Sequence, residues 1–366
     1  MRVVSLDAPI PASARWALAY ATVDAISKVR AAADGSIPLF GCTSFQGVFT
    51  PDGFPRGAHA LIGEEGDPVA DAVSVQVGAI GARSRAADAA RALREKLGTI
   101  DALLLHATPG FEERILEGIA DAFDGSPPQA YGGSAADDDI SGKWRVFHGP
   151  DAIGEGFVLA GFRSDAPVHG SFVAGYNPGR RKGKVTAAAG RVVRAIDGRP
   201  AAEVYDEWLG GKLGEQRKTG GVVLGETTLH PLGRAVGTIG RMTRYLLSHP
   251  HRVERDGSMA LFTDVAVGDE LVLMVGSRDA LFERTDRVAG RASRGAGEVR
   301  GGVLIYCGGC VGVTAERTAE VSQRFGSRID GAPFVGAATF GEVGCFDRRE
   351  GVNRHGNLMA DAILFE

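Results

Sequence analysis

Residues 301–312 read GGVLIYCGGCVG and residues 333–346 read PFVGAATFGEVGCF. The apolar run Val303–Tyr306 ends at Cys307, two glycines and Cys310 follow, and a helical pattern sets in from about Thr314. This reads as a buried strand, a tight Gly-rich loop carrying Cys-x-x-Cys, and a helix. Glu342 and Cys345 come next, and the closing GVNRHGNLMADAILF holds Asn353, His355 and Asn357. Cysteines, a carboxylate and an Asn/His/Asn cluster thus crowd into one short part of the chain.

The same pattern is written twice more. Residues 3–49 give a strand VVSL, a loop, a helix with apolar Trp16, Tyr20, Val23 and Ile26, then PLFGCTSFQGVF. Residues 101–139 give ALLL, HATPGF, a helix with Ile115, Leu116, Ile119 and Phe123, then PQAYGGSAADDD. The copies close with the strands VSVQVGAI, EGFVLAGF and LMADAILF. Superposing the copies puts Asp7, His106 and Cys307 together at a strand end. It also brings Gly41, Gly132 and Gly336 together, followed by Cys42-Thr43, Gly133-Ser134 and Ala337-Ala338. Apolar strands alternating with helices imply an α/β fold of two domains, with repeated strand–loop–helix–strand units forming mixed sheets. Residues 166–300 differ: a hairpin, a short helix PAAEVYDEWLG between Pro200 and Gly210, and a β-rich stretch from His230. The basic run at 180–184 reads as a solvated hairpin turn. A boundary near residue 229 divides the chain into domains 1–229 and 230–366.

Composition narrows the function classes. At 44% hydrophobic and 23% charged, the chain buries a core. A net charge of −4 argues against nucleic-acid or acidic-membrane partners. There is no signal-peptide core and no membrane-span run, and four cysteines in 366 residues do not make a disulfide scaffold. The expected setting is cytoplasmic, with reduced thiols.

Three chemistries suit the C-terminal residues. Cys307 and Cys310 ahead of a helix N-terminus suit thiolate chemistry, with Glu342 as a general base if the protein is an enzyme. Cys307, Cys310, Cys345 and His355 make a Cys₃His set for a metal ion. Glu342, Cys345, Asn353, His355 and Asn357 make a polar set for an amino-acid-like ligand. Open α/β sheets place ligands at the strand ends, where Gly loops expose backbone N–H groups.

GVLIYCGGCVGVTAERTAEVSQRF, GAPFVGAATFGEVGCF and NRHGNLMADAILF resemble the C-terminal half of FIST-domain proteins. PLFGCTSFQGVF and YGGSAADDD resemble the N-terminal half, so the resemblance spans the chain. It makes 1–229 FIST N-like and 230–366 FIST C-like, in a stand-alone member with no kinase, methyl-acceptor or F-box segment. The family implies a small-molecule sensor that acts in signal transduction through a separate partner such as a histidine kinase. Its ligand would lie between the halves, touched by Cys42, Thr43, Ser44, His106, Gly133 and Ser134 from the first. Cys307, Cys310, Glu342, Cys345, Asn353, His355 and Asn357 would touch it from the second. Some members are described as haem-binding nitric-oxide sensors; here the axial histidine could be His106, His148, His169, His230, His249, His251 or His355. The c-type attachment pattern is absent, since Val311 follows Cys310. The alternative to a sensor is a thiol-dependent enzyme or a metal or redox protein built on Cys307, Cys310 and Cys345.

Overall fold

Three short apolar strands, Trp16–Ala21, Ala102–Ala107 and Gly301–Cys307, organise the larger part of the molecule, and every residue in them is buried. The computed structural model describes residues 1–240, 242–347 and 350–366. Arg241, inside the β-rich stretch, and Arg348 and Arg349 lie outside the described residues. The chain forms an α/β fold of two compact units. One is Met1–Val173 with Arg284–His355 and Ala360–Glu366; the other is Ala174–Glu283 with Gly356–Met359. Residue 229 falls inside the second unit.

In the first unit the unit of structure is indeed used three times. Each central strand runs into a helix and then into a parallel neighbour: Leu39–Thr43, Ala130–Ser134 and Phe334–Thr339. On its other side each takes an antiparallel strand: Ala58–Gly63, Gly156–Arg163 and Met359–Phe365. The first copy differs from the expectation. Trp16–Ala21 is its central strand and not part of a helix, and VVSL is an edge strand paired to Ala58–Gly63. VSVQVGAI is not its closing strand either; Val69–Gln76 pairs with Gly156–Arg163 of the second copy. The spacing of Trp16, Tyr20, Val23 and Ile26 fits a helix stripe, and a strand buried on both faces has no alternation to betray it.

Gly41, Gly132 and Gly336 occupy one place in the three copies, opposite Ala19, Leu105 and Leu304. A Cβ at any of them would lie closer than 3.0 Å to the facing carbonyl oxygen. Gly41 and Gly132 also have φ of +148° and +121°, which side chains resist. The strand beyond each glycine comes from another copy. Val48–Phe49 of the first pairs with Phe334–Thr339 of the third. Glu342–Gly344 of the third pairs with Ala130–Ser134 of the second, and Val146–His148 of the second with Leu39–Thr43 of the first. The exchange is cyclic.

Alternate residues of the central strands pack into one shared core, with Leu18, Leu104 and Val303 equivalent and Trp16, Phe40, Phe162 and Phe365 clustered towards one end. Trp16 meets Phe162 edge-on at 5.5 Å between ring centroids, a favoured aromatic geometry. Ile26–Ala32 covers the other face of the first copy's sheet; Ala82–Leu97 and Glu112–Ala122 cover that of the second. In the third copy helix Gly308–Thr314 begins directly after Cys307, so Cys310 lies in a helix and not in a loop; a second helix, Thr318–Arg328, follows. Gly-rich composition hid this, because glycine is a poor helix former and tertiary packing overrides it.

The second unit is β-rich from Leu232 and contains the short helix Ala201–Trp208 after Pro200. Its core gathers Val185, Val193, Ile196, Tyr205, Leu271 and Leu273. Residues 180–184 are exposed apart from Gly183, but they lie within the strand Asn177–Ala189 and not in a turn. Lys182 pairs with Glu270 on the neighbouring strand at 3.1 Å.

The glycine constraint gives a direct expectation. Gly132→Ala should lower urea-unfolding stability by more than about 2 kcal/mol. Gly312→Ala, in a helix with open space around it, should be neutral or stabilising by up to about 1 kcal/mol.

Candidate functional site

Where the central strands end, the inward positions of two of them turn polar. With the glycines aligned, Tyr20, His106 and Ile305 are equivalent. Cys307 lies two positions further on, opposite Thr339, and Asp7 lies outside the frame on an exposed loop beside Lys28. The superposition of Asp7, His106 and Cys307 is therefore corrected to Tyr20, His106 and Ile305.

Tyr20 and His106 are fully buried and bonded to each other. The Tyr20 hydroxyl lies 2.9 Å from His106 Nε2, and His106 Nδ1 lies 3.1 Å from the Gly133 carbonyl oxygen. A carbonyl only accepts, so Nδ1 carries the proton and Nε2 accepts from Tyr20. Burial lowers the His106 pKa to about 4, so the ring is neutral near pH 7.

Asp361 lies opposite Ile305, in the place held by His59 and Val158 in the other copies. It is 0% exposed, and the Gly132 amide is too poorly placed to make a full hydrogen bond to either carboxylate oxygen. Burial and then the Glu342 carboxylate push its pKa well above the usual range; the Gly132 amide offsets this only in part. An ionised carboxylate in such a place costs several kcal/mol, about what protonation removes. Asp361 is thus held as a neutral acid, close enough to Tyr20 for their charges to interact. Glu342 faces Gly133 in register and accepts from Thr339 Oγ1 at 3.0 Å. Its counterparts are Val48 and Val146. A lone Asp within the apolar LMADAILF was a visible sign of Asp361, though the strand pattern alone absorbs it.

The cysteines are all free and buried. Burial raises the Cys307 pKa well above the ordinary thiol value, with Cys310 and Glu342 adding to the rise. The helix that starts at Cys307 does not outweigh that desolvation, so the thiolate expected of Cys-x-x-Cys does not form. Fully buried Arg284 lies over the Tyr306 ring at 4.3 Å beside this pair. Nothing in the helical pattern around Arg284 marks it out. Cys42 faces Tyr20 in the parallel pair, and burial raises its pKa as well.

The remaining expected residues separate. Thr43 and Ser44 tie copies together: Thr43 Oγ1 accepts from Arg145 N at 2.9 Å, and Ser44 Oγ from Ala338 N at 2.8 Å. Asn353 clamps the strand Ala130–Ser134, accepting from Ala130 N and donating to the Pro128 carbonyl, both at 2.9 Å. Asn357 belongs to the second unit, where its side chain accepts from His249 N at 3.2 Å. Cys345 donates to the Asp347 carbonyl and borders a cleft of about 270 Å³ with Pro127, Gln129 and Asn353.

His355 meets Glu112 and Glu113, on the first turn of the helix Glu112–Ala122. Ser134 Oγ donates to Glu112 Oε1. Among the described residues this is the one group whose three or more metal-type ligand atoms lie within 4.8 Å of one another. Cys307, Cys310, Cys345 and His355 do not form the Cys₃His set. The two glutamates were missed because Glu-Glu at a helix start reads as ordinary dipole compensation.

Haem needs an imidazole nitrogen free for the iron. His106 has both nitrogens bonded and offers none to an iron, whereas His148, His169 and His249 are each bonded through one nitrogen and His230 Nδ1 is buried without a hydrogen bond. Of these, His106 does not fit the group.

Two measurements follow. The native protein should react with an aromatic disulfide reagent much more slowly than the unfolded chain, which should release all four thiols. Stability should also fall on the acid side. The His106 pKa is lowered, so its contribution is complete above about 6.5 and lost as pH falls towards about 4, on the order of 3 kcal/mol. His106→Gln should flatten that slope in chemical unfolding.

Two family models match the sequence: the FIST N domain over residues 16–199 and the FIST C domain over 201–345. No curated protein matches it.

Proposed function

The chain belongs to the FIST family, and from that membership together with the buried acid at Asp361 we propose that it is a cytoplasmic small-molecule sensor. FIST domains are associated with small-ligand sensing in signal transduction. Among the described residues no helix is long and apolar enough to cross a membrane.

The observation that carries the reading is Asp361. A fully buried carboxyl that the Gly132 amide reaches only weakly, beside Glu342, Tyr20 and His106, is costly for the fold alone. It is the complement of an ammonium group, as in a small amine or an amino-acid-like ligand. A neutral amine on binding would take up the Asp361 proton, leaving the carboxylate paired with the ligand's ammonium group. His106, Gly133 and Glu342, expected from the sequence, adjoin this place; Tyr20 and Asp361 are added to them. Because the site is closed, a ligand enters only a more open state, and its binding shifts the population towards a form that a separate partner, a signalling protein such as a histidine kinase, can read. The thiol-enzyme alternative is set aside, because Cys307 is buried as a neutral thiol.

A panel of amino acids and simple amines tests the reading by thermal shift and calorimetry. A binder at a hundred times its Kd should stabilise the wild type by about 2.7 kcal/mol and leave Asp361→Asn unmoved. No stabilisation by any compound, or stabilisation that survives the substitution, overturns it. The variant also has its own signature. A raised carboxyl pKa contributes stability below the unfolded value near 4 that is lost as pH climbs through the folded value. Asp361→Asn, which mimics the neutral acid, should therefore be more stable than wild type at pH 8 and fold normally.

A further inference from the structure

We propose that Glu112 and His355 bind a divalent first-row transition cation through Nε2, with Glu113 orienting the imidazole through Nδ1. This site does not depend on Asp361 or on the ligand reading above.

The geometry distinguishes the two glutamates. His355 Nδ1 lies 3.0 Å from Glu113 Oε1, an ordinary hydrogen bond. His355 Nε2 lies 3.7 Å from Glu112 Oε1, which is too long for one. Two ligand atoms each about 2.1 Å from one ion, at an angle near tetrahedral or somewhat wider, stand about 3.4–3.7 Å apart. The Nε2–Glu112 distance is that of two ligands of a shared ion. The Nδ1–Glu113 contact is that of the carboxylate that holds a ligating histidine in the right tautomer and orientation.

The surroundings hold these groups in place. The side chains of His355 and Glu112 are 0% and 1% exposed, and that of Glu113 is 21% exposed. Glu112 is fixed by Ser134 Oγ and by Gly110 N–H at 3.1 Å. The Asn353 clamp, two residues before His355, ties that segment to Ala130 and Pro128. One imidazole nitrogen and carboxylate oxygen suit Zn²⁺, Co²⁺ or Mn²⁺. Two protein ligands leave coordination positions open to water or to an anion.

Titration of the purified full chain with Zn²⁺, and separately with Co²⁺, tests the site. Zn²⁺ should bind at one equivalent. Co²⁺ should give visible bands without the intense near-ultraviolet sulfur-to-cobalt transition that the buried cysteines would produce. His355→Ala and Glu112→Gln should each abolish binding. Glu113→Gln should weaken it about 10–100-fold without abolishing it and leave the cobalt spectrum nitrogen- and oxygen-like. Absence of binding below millimolar Zn²⁺, a sulfur signature, or affinity unchanged by Glu113→Gln overturns the proposal. The last two readouts need only wild type and a partly exposed variant, so they stand even if His355→Ala fails to fold.

Discussion

The carbonyl oxygens of Ala19, Leu105 and Leu304 each stand where a neighbouring Cβ would otherwise be. That closeness allows only glycine at 41, 132 and 336. It also draws each parallel pair together immediately before the strand ends, where the chain passes to the next copy. The exchanged strands Val48–Phe49, Val146–His148 and Glu342–Gly344 pair in the same register beside those glycines. The polar end of the core follows from this register. Tyr20 and His106 can bond to each other because they hold equivalent positions on two central strands that face one core.

The three copies keep one apolar layer and differ in the next. Leu18, Leu104 and Val303 are interchangeable in kind, whereas Tyr20, His106 and Ile305 are not. Glu342 and Asp361 stand where the sister copies have Val48 and Val146, and His59 and Val158. A buried core tolerates such groups only when they are neutral, bonded or both. His106 is neutral and doubly bonded, Glu342 is bonded to Thr339, and Asp361 is neutral alone. The inequality of these residues, and not the shared fold, marks the place where chemistry is concentrated.

The sequence carried the repeat, the three glycines, the α/β class and the family. It misplaced the first copy because Trp16–Ala21 is apolar throughout and fits a helix stripe as well as a strand. It placed Cys310 in a loop because glycines surround it. Its candidate residues divide along a physical line: His106, Gly133, Glu342, Cys307 and Cys42 sit at or beside strand ends that register brings together. Thr43, Ser44 and Asn353 have the same polar character but serve as ties between segments, and Asn357 is in the other unit. Spacing along the chain does not distinguish a clamp from a contact. Glu112 and Glu113 escaped notice because their partner lies more than two hundred residues away.

The cyclic exchange of strands also governs how the chain reaches this state. No copy completes its own sheet, since each lends a strand to one sister and borrows one from the other. The first copy's sheet needs residues 146–148, and Ala130 is tied to Asn353, so hydrogen bonding waits on remote sequence. Such a fold has a high contact order, and loop closure must precede most of its reward. It should assemble slowly and nearly all at once. During synthesis the first two copies emerge as an unclosed ring with bare strand edges until the third arrives, an interval in which edge pairing with other chains is the chief hazard.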